Sequence, residues 1–365
     1  MLVPFAVALF VGSFACSAML TALAKRVTPR FGLVAHPRAD RYHRSIIPLG
    51  GGIAIFLTLA LFLIAGAATM RFLIIPGHFR GLVEQAHLNP ADFLHHSREL
   101  LVILLCATIL FLVGLWDDKQ ALGPLIKLVF QFLVAALAAA FADIRIEFFI
   151  DNRIITLVLS AFWIVLIVNA FNFLDNMDGA SAGIAAIASS VLLTAAAFNG
   201  QVFVSGLTLA FIGALLGFLV FNFPPASIFM GDAGSLVVGF FVALLTLRTT
   251  YYHQAQSGSW YAVLLPLIAM AVPLYDFISV TLLRISQGKS PFVGDTQHFS
   301  HRLRRRGLTD TQTALTLYLA TLCTGLGATF LYQVNLVGAI LIVGQTLLIV
   351  GIIGVFESTA KAEDR

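Results

Sequence analysis

The sequence is dominated by apolar runs of about 20 residues, the length an α-helix needs to cross the hydrocarbon core of a bilayer. Eleven such runs stand out, at approximately 2–24, 51–75, 99–116, 124–142, 154–174, 181–198, 205–223, 234–248, 260–283, 312–332 and 336–356. The run at 234–248 is short for a span. Each run is apolar on every side, whereas the strands of a membrane barrel alternate apolar and polar residues. Composition agrees: 59% of the 365 residues are hydrophobic and 11% are charged, against roughly 25% charged in a soluble domain. A water-soluble globule and a disordered chain are both excluded. The expected fold is an all-α polytopic integral membrane protein of about eleven transmembrane helices.

Lys and Arg set the orientation, because cytoplasmic loops carry an excess of both. With the N-terminus outside, the inner segments are 25–50, 117–123, 175–180, 224–233, 284–311 and 357–365. These hold 15 basic residues, including Lys25, Arg26, Lys119 and Arg302, while the outer side keeps 6. That split predicts N-terminus out and C-terminus in. The net charge of +4 therefore reflects topology, and no nucleic-acid partner is expected. Ala22-Leu23-Ala24 has the form of a signal cleavage site, but Lys25-Arg26 follows the apolar run and no positive residue precedes it, the pattern of an uncleaved first span. Cys16, Cys106 and Cys323 fall inside apolar runs and imply neither a disulfide nor a zinc site. The outer loop 76–98 carries His78, His87, His95 and His96, a solvated polar loop rather than a metal site. The spacing of Gly213 and Gly217 predicts helix packing. One membrane-embedded domain over 1–365 is expected, its site built from the inner segments 25–50, 117–123, 175–180, 224–233 and 284–311.

The acidic residues depart from this plain picture. Asp117, Asp118, Asp175, Asp178, Asp232 and Asp295 all fall at inner span ends or in inner loops, and Asp276 lies near the inner end of the ninth run. Acids in or beside spans are costly and tend to be functional. One alone reads as a helix cap, but six drawn from separate segments and gathered on one face repel unless a cation offsets them. Oxygen-only ligands without a Cys/His pair point to Mg²⁺ or Mn²⁺ rather than zinc. Asn169, Asn172 and Asp175 are three apart and share one helical face. Interhelical hydrogen bonding accounts for the two Asn but not for Asp175 and Asp178. In Gly231-Asp232-Ala233-Gly234 an acid stands between glycines, which let a backbone approach a phosphate while Asp holds a metal. Gly50-Gly51-Gly52 after Pro48 reads equally as a second phosphate turn or as a loop entering a helix.

The basic counterpart is the stretch from Asp295 to Gly307, with His298, His301 and Arg302 forming an anion site that faces the same compartment. Arg304 to Arg306 read as a positive-inside anchor. Carboxylates for a metal, glycine turns and an Arg/His cluster on one membrane face describe phosphoryl-group chemistry, and the membrane setting suggests that one substrate is a lipid.

These residues resemble the polyprenyl-phosphate N-acetylhexosamine-1-phosphate transferases, from roughly Asp40 to Leu308. The resemblance rests on His43-Arg44-Ser45 with Pro48-Leu-Gly-Gly, Trp116-Asp117-Asp118 with Lys127, Asn169 through Gly179, Phe229 through Ser235, Pro273-Leu-Tyr-Asp276, and His298 through Leu303. It implies transfer of a sugar-1-phosphate, N-acetylglucosamine-1-phosphate first, from a UDP-N-acetylhexosamine to undecaprenyl phosphate with release of UMP. It further implies Mg²⁺ or Mn²⁺, a bacterial inner membrane, and a site facing the cytoplasm. Asp232 and Asp175 are then the metal residues, and Asp117, Asp118 and Asp175 the catalytic ones. Lys127 lies near the lipid phosphate. Asn169, Asn172 and Asp178 line the nucleotide-sugar site, and His298, His301 and Arg302 hold the pyrophosphate or sugar. Ser300 stands where related transferases often carry a His, so the role of that position is open. The alternatives are the related phospho-MurNAc-pentapeptide transferase and a secondary transporter. A transporter site, however, lies near the bilayer midplane and within repeats, and no repeat is visible here. A homodimer is compatible with the sequence, which leaves oligomeric state, sugar and downstream polymer open.

Overall fold

The computed structural model describes residues 2–36, 46–78, 90–142, 144–145, 152–249, 260–290 and 298–358, with backbone alone at 2, 90–98 and 357–358. Asp40, His43, Arg44, Ser45, His87 and Asp295 lie outside the described residues, as do the side chains of His95 and His96. Among the described residues are thirteen α-helices: α1 (Leu2–Val27), α2 (Gly51–Thr69), α3 (Pro90–Lys119), α4 (Pro124–Phe141), α5 (Arg153–Leu174), α6 (Ala180–Phe198), α7 (Val202–Asn222), α8 (Asp232–Arg248), α9 (Leu265–Ala269), α10 (Ala271–Ser286), α11 (Phe299–Arg305), α12 (Asp310–Thr329) and α13 (Leu336–Ser358). A two-residue antiparallel ladder, β1 (Val34–Ala35) with β2 (Ile47–Pro48), pairs Val34 with Pro48 and Ala35 with Ile47.

The chain is an all-α, multi-pass membrane protein. Among the described residues eight helices are long and apolar enough to cross a bilayer, or nine if the bent pair Trp260–Ala269 and Ala271–Ser286 is one span, against about eleven expected. All eleven expected runs coincide with helix, but three differ in form. The run at 260–283 is bent by 62° at Met270, between α9 and α10. Pro266 and Pro273 sit in the first turns of these two helices, where a missing N–H costs nothing. The run at 99–116 does not end at Trp116, because α3 continues through Asp117 and Asp118 to Lys119. The run at 234–248 is α8, with 17 residues, or about 25 Å at 1.5 Å per residue. From Ala233 to Thr246 every residue of α8 is buried, so it meets protein on all sides.

That central position depends on small residues. A Cβ on Gly52 of α2, or on Gly114 of α3, would run into the backbone at Ala233, and one on Gly239 into the backbone of α5 at Val168. Close backbone approach of this kind drives helix association in a membrane. Gly213 and Gly217 do the same for α7, which packs against the backbone of α1 at Phe10 and Phe14. Ser17 Oγ of α1 donates to Ala214 O at 2.6 Å across that contact. The packing expected of these two glycines is therefore present.

Candidate active site

The polar side chains gather where α3, α5 and α7 end and α2, α4, α6 and α8 begin. At the other end of the bundle Glu99 pairs with Arg248 at 2.8 Å. The site end is built on α8. Gly231, just before it, has φ +75° and ψ 173°, a conformation open essentially to glycine alone. A Cβ there would also strike the Asp118 carboxylate, 2.6 Å away. The tight turn brings the first amides of α8 onto α3. Asp118 Oδ1 accepts the Asp232 N–H at 2.7 Å, and Oδ2 accepts the Ala233 N–H at 3.1 Å. Asp118 therefore caps α8 from another helix, and the anion at this helix N-terminus is the protein's own carboxylate.

Asp117, on the adjacent position, points elsewhere, as neighbours on a helix do. Its Oδ2 meets Lys127 Nζ at 3.0 Å and its Oδ1 accepts the Leu122 N–H at 2.6 Å. The same Lys127 Nζ donates to Asp232 Oδ2 at 2.8 Å. Two carboxylates from α3 and α8 thus share one ammonium from α4, all three partly buried. Asn172 of α5 completes the group, donating to Asp232 Oδ1 at 3.2 Å and to Ser235 Oγ at 2.8 Å. One turn deeper, Asn169 donates to Gln131 Oε1 at 2.6 Å.

The loop between α5 and α6 carries Asp175, the residue that ends α5, and Asp178. Asp178 Oδ2 accepts the Ala226 N–H at 2.8 Å. Asn222 Oδ1 accepts the Gly179 N–H at 3.0 Å, and the Tyr318 hydroxyl donates to Gly179 O at 2.7 Å. The Gly50–Gly52 turn is a loop entering a helix. Its amides donate to Phe229 O and Met230 O at 2.9–3.3 Å, which leaves none of the three for a phosphate.

A second cluster surrounds α11. Asp276 Oδ2 lies 3.0 Å from His298 Nδ1, and Asp276 Oδ1 accepts the Phe299 N–H at 2.7 Å. Arg284 Nη2 is 3.5 Å from His298 Nε2. Arg302 Nη2 donates to Ser279 Oγ at 2.8 Å, and Ser300 Oγ donates to Asn176 Oδ1 at 2.6 Å. His298 and His301 pack edge to face, 6.1 Å apart. Burial, helped by His298, Arg305 and Arg304, pushes the His301 imidazole down to about 4 against the pull of Asp276. Arg304 pairs with Asp310 at 3.0 Å, and Arg306 lies over Phe356, in keeping with an anchoring role.

The structure thus joins Asp117, Asp118, Lys127, Asn172 and Asp232 directly, and His298, His301 and Arg302 on one short helix. Asn176 and Phe173, which stacks edge to face on His298, tie the second group to the end of α5. Sequence reasoning passed over Gln131, Ser279 and Arg284 as participants. Gln131 lies one turn beyond Lys127 inside an apolar run, which was a usable signal. Arg284 was counted as a topology charge, yet it is 1% exposed.

A divalent metal has a donor set here of the right kind. Asp117 Oδ2 and Asp232 Oδ2 converge on the Lys127 ammonium, a position where an ion would replace the ammonium, and Mg²⁺ is commonly held by one or two carboxylates plus substrate phosphates. Among the described residues no three His, Cys, Asp or Glu side chains gather to form a cage, so the remaining ligands of such an ion would come from the substrate.

The sequence model of glycosyl transferase family 4 matches residues 100–250, the stretch that contains Asp117, Asp118, Lys127, Asn172 and Asp232. A probable undecaprenyl-phosphate N-acetylglucosaminyl 1-phosphate transferase of Bacillus subtilis (strain 168) is 29% identical over 318 residues, covering 85% of this chain and 80% of its own length. The undecaprenyl-phosphate α-N-acetylglucosaminyl 1-phosphate transferase of Salmonella typhi is 29% identical over 329 residues, with 85% and 80% covered. Its counterpart in Escherichia coli (strain K12) is 26% identical over 311 residues, with 81% and 76% covered. The match runs through the helices that build the acidic cluster, and the similarity to these relatives extends over four fifths of the sequence: over 100–250 the chain is similar to glycosyl transferase family 4, and over most of its length to transferases of undecaprenyl phosphate.

Proposed function

We propose that this protein transfers N-acetylglucosamine-1-phosphate from UDP-N-acetylglucosamine to undecaprenyl phosphate and releases UMP, at the cytoplasmic face of a bacterial inner membrane. The observation that carries this reading is the Asp117–Lys127–Asp232 group at one end of the bundle, with bonds of 3.0 and 2.8 Å. It supplies one ammonium, the partner a phosphate needs, and two acids, which a metal cation would take over once the ammonium turns to that phosphate. The names of the relatives supply the acceptor and the sugar. Next to Lys127 in the sequence, Leu125, Ile126 and Val129 form an exposed apolar surface on α4, which suits a prenyl chain.

In this mechanism an oxygen of the lipid phosphate attacks the β-phosphorus of the nucleotide sugar. The new P–O bond forms as the bond to the bridging oxygen breaks, and that oxygen leaves with UMP. A phosphate monoester is largely ionised at pH 7, its second pKa being about 6, so no strong base is required. Lys127 holds the attacking phosphate, and Asp117 orients Lys127. Asn172 fixes the Asp232 carboxylate. Asp232, with Asp117 beside it, would hold a Mg²⁺ ion, which would supply positive charge for the diphosphate leaving group. Asp175 stands at the end of α5, within the nucleotide-sugar side of the site. His301, neutral at pH 7, donates or accepts a hydrogen bond to the sugar or pyrophosphate, and Arg302 supplies positive charge.

The test is UMP release by purified protein with undecaprenyl phosphate, a panel of UDP-sugars, and Mg²⁺ or EDTA. Release from UDP-N-acetylglucosamine that needs lipid and metal, and that Asp232→Ala abolishes, is the expected result. Release only from UDP-MurNAc-pentapeptide would move the protein to the related lipid I reaction. Release that ignores the acceptor or the metal would contradict the reading.

A further inference from the structure

Helix α11 has seven residues, too few to be stable in isolation, where helices under about 12–15 residues are marginal. Yet it carries His301 and Arg302. Something outside it must hold its shape and position, and α10 presents three polar side chains that do so. Asp276 accepts two hydrogen bonds, one from the Phe299 N–H, the first of α11, and one from His298 Nδ1. A carboxylate only accepts, so His298 carries its proton on Nδ1 and turns a bare Nε2 towards Arg284. Ser279, one turn along α10, receives the Arg302 guanidinium. Asp276 and Arg284 are each 1% exposed, and His298 is 5% exposed. Arg284 also stacks over Phe173, 5.0 Å from its ring centre. Ser300 supplies the tether to α5 through Asn176.

We propose that Asp276, Ser279 and Arg284 are positioning residues that latch α11 onto α10, Asp276 acting through His298, and so set His301 and Arg302 in the site. His298 is then a structural pivot of the latch, with both ring nitrogens engaged inside the protein. What α11 handles rests on the transferase reading above; the latch does not.

Two readouts separate those claims. The first needs no activity: diethyl pyrocarbonate labelling of the intact protein, read residue by residue by mass spectrometry, with exposed His78 as the internal standard. In the unaltered protein His298 and His301 are protected. In Asp276→Ala both become labelled about tenfold faster, because the label reports the population of the undocked helix. Asp276→Asn should do the same without changing volume, since its amide N–H faces His298 Nδ1–H. Equal protection of both histidines in both variants would overturn the latch. If Asp276→Ala does not fold, Asp276→Asn and Ser279→Ala carry the test.

The second readout is kinetic. Asp276→Asn is expected to lower kcat/KM for the nucleotide sugar by roughly 100-fold, the cost of misplacing site groups, mainly through KM, with KM for the lipid unchanged. Combining it with His298→Asn should add little, as for residues that work as a unit. A fall in kcat alone with both KM values kept, or costs that simply add, would contradict a positioning role. An unaltered protein that releases no UMP while the footprint responds as expected would remove the transferase reading and leave the latch standing.

Discussion

At the scale of single residues, the two adjacent acids of α3 do different work. Asp117 faces an ammonium, and Asp118 faces two amides. Asp118→Ala would leave the first N–H groups of α8 without acceptors in a buried place. The expected cost is about 1–3 kcal/mol, seen as a lower thermal midpoint together with lost activity. Asp118→Asn would fare little better, since its amide would aim an N–H at one of those donors. A fully stable Asp118→Ala protein would show that the capping is unimportant. His301 gives a pH prediction of the opposite kind. Its imidazole is held down to about 4 in the folded protein, below the usual value near 6.5. The stability tied to its neutral form is complete above about 6.5 and is lost as pH falls towards about 4, because the unfolded chain takes up the proton first. It does not titrate near neutrality, so His301→Gln should reduce activity without shifting the limbs of the pH–rate profile between pH 6 and 8. A limb that moved would show that His301 changes charge during turnover.

At the scale of elements, the site is made by how closely α2 and α3 approach α8. Gly52 meets the backbone at Gly234, so Gly52→Ala is expected to destabilise by about 1–3 kcal/mol through overpacking and to push Asp232 away from Lys127. Unchanged melting and activity would show slack in that contact. Much of this level was legible in the sequence. The positions of the helices follow from apolar runs, and close packing on this face of α7 follows from the spacing of Gly213 and Gly217, although that spacing does not name α1 as the neighbour. Asp117 and Asp232 were legible as site residues because acids at span ends lack a structural reason to be there, whereas interhelical hydrogen bonding was reason enough for Asn172, which entered the site through the family resemblance. What escaped notice depends on contacts between distant segments. Asp118 caps a helix that begins 114 residues later, and Asp276 caps α11 across an intervening loop. Arg284 looked like one more inner-face charge, and nothing in the local sequence marks it as buried. The bend at Met270 did have a signal, in Pro266 and Pro273, but proline in the first turn of a second helix looks the same in sequence as proline within a span.

At the scale of the whole molecule, the carboxylates stand at helix ends on one side of the bundle, with the Glu99–Arg248 pair on the other. That distribution suits a membrane-surface reaction between a lipid headgroup and a soluble nucleotide, and it differs from the midplane sites of transporters. The proposed orientation puts the site end in the cytoplasm. In intact cells an impermeant thiol reagent should reach His78→Cys, and it should reach Lys289→Cys only after permeabilisation. The reverse pattern would invert the topology and remove the nucleotide sugar's access to the site. The central claim is that a phosphoryl group moves together with its sugar. It is tested most directly by the mass of the lipid product formed from UDP-N-acetylglucosamine, with the released nucleotide measured alongside. A sugar joined to the lipid through a diphosphate, with one UMP per product, is the predicted result. A sugar joined through a single phosphate with release of UDP, or no lipid product from folded protein supplied with Mg²⁺, would contradict it.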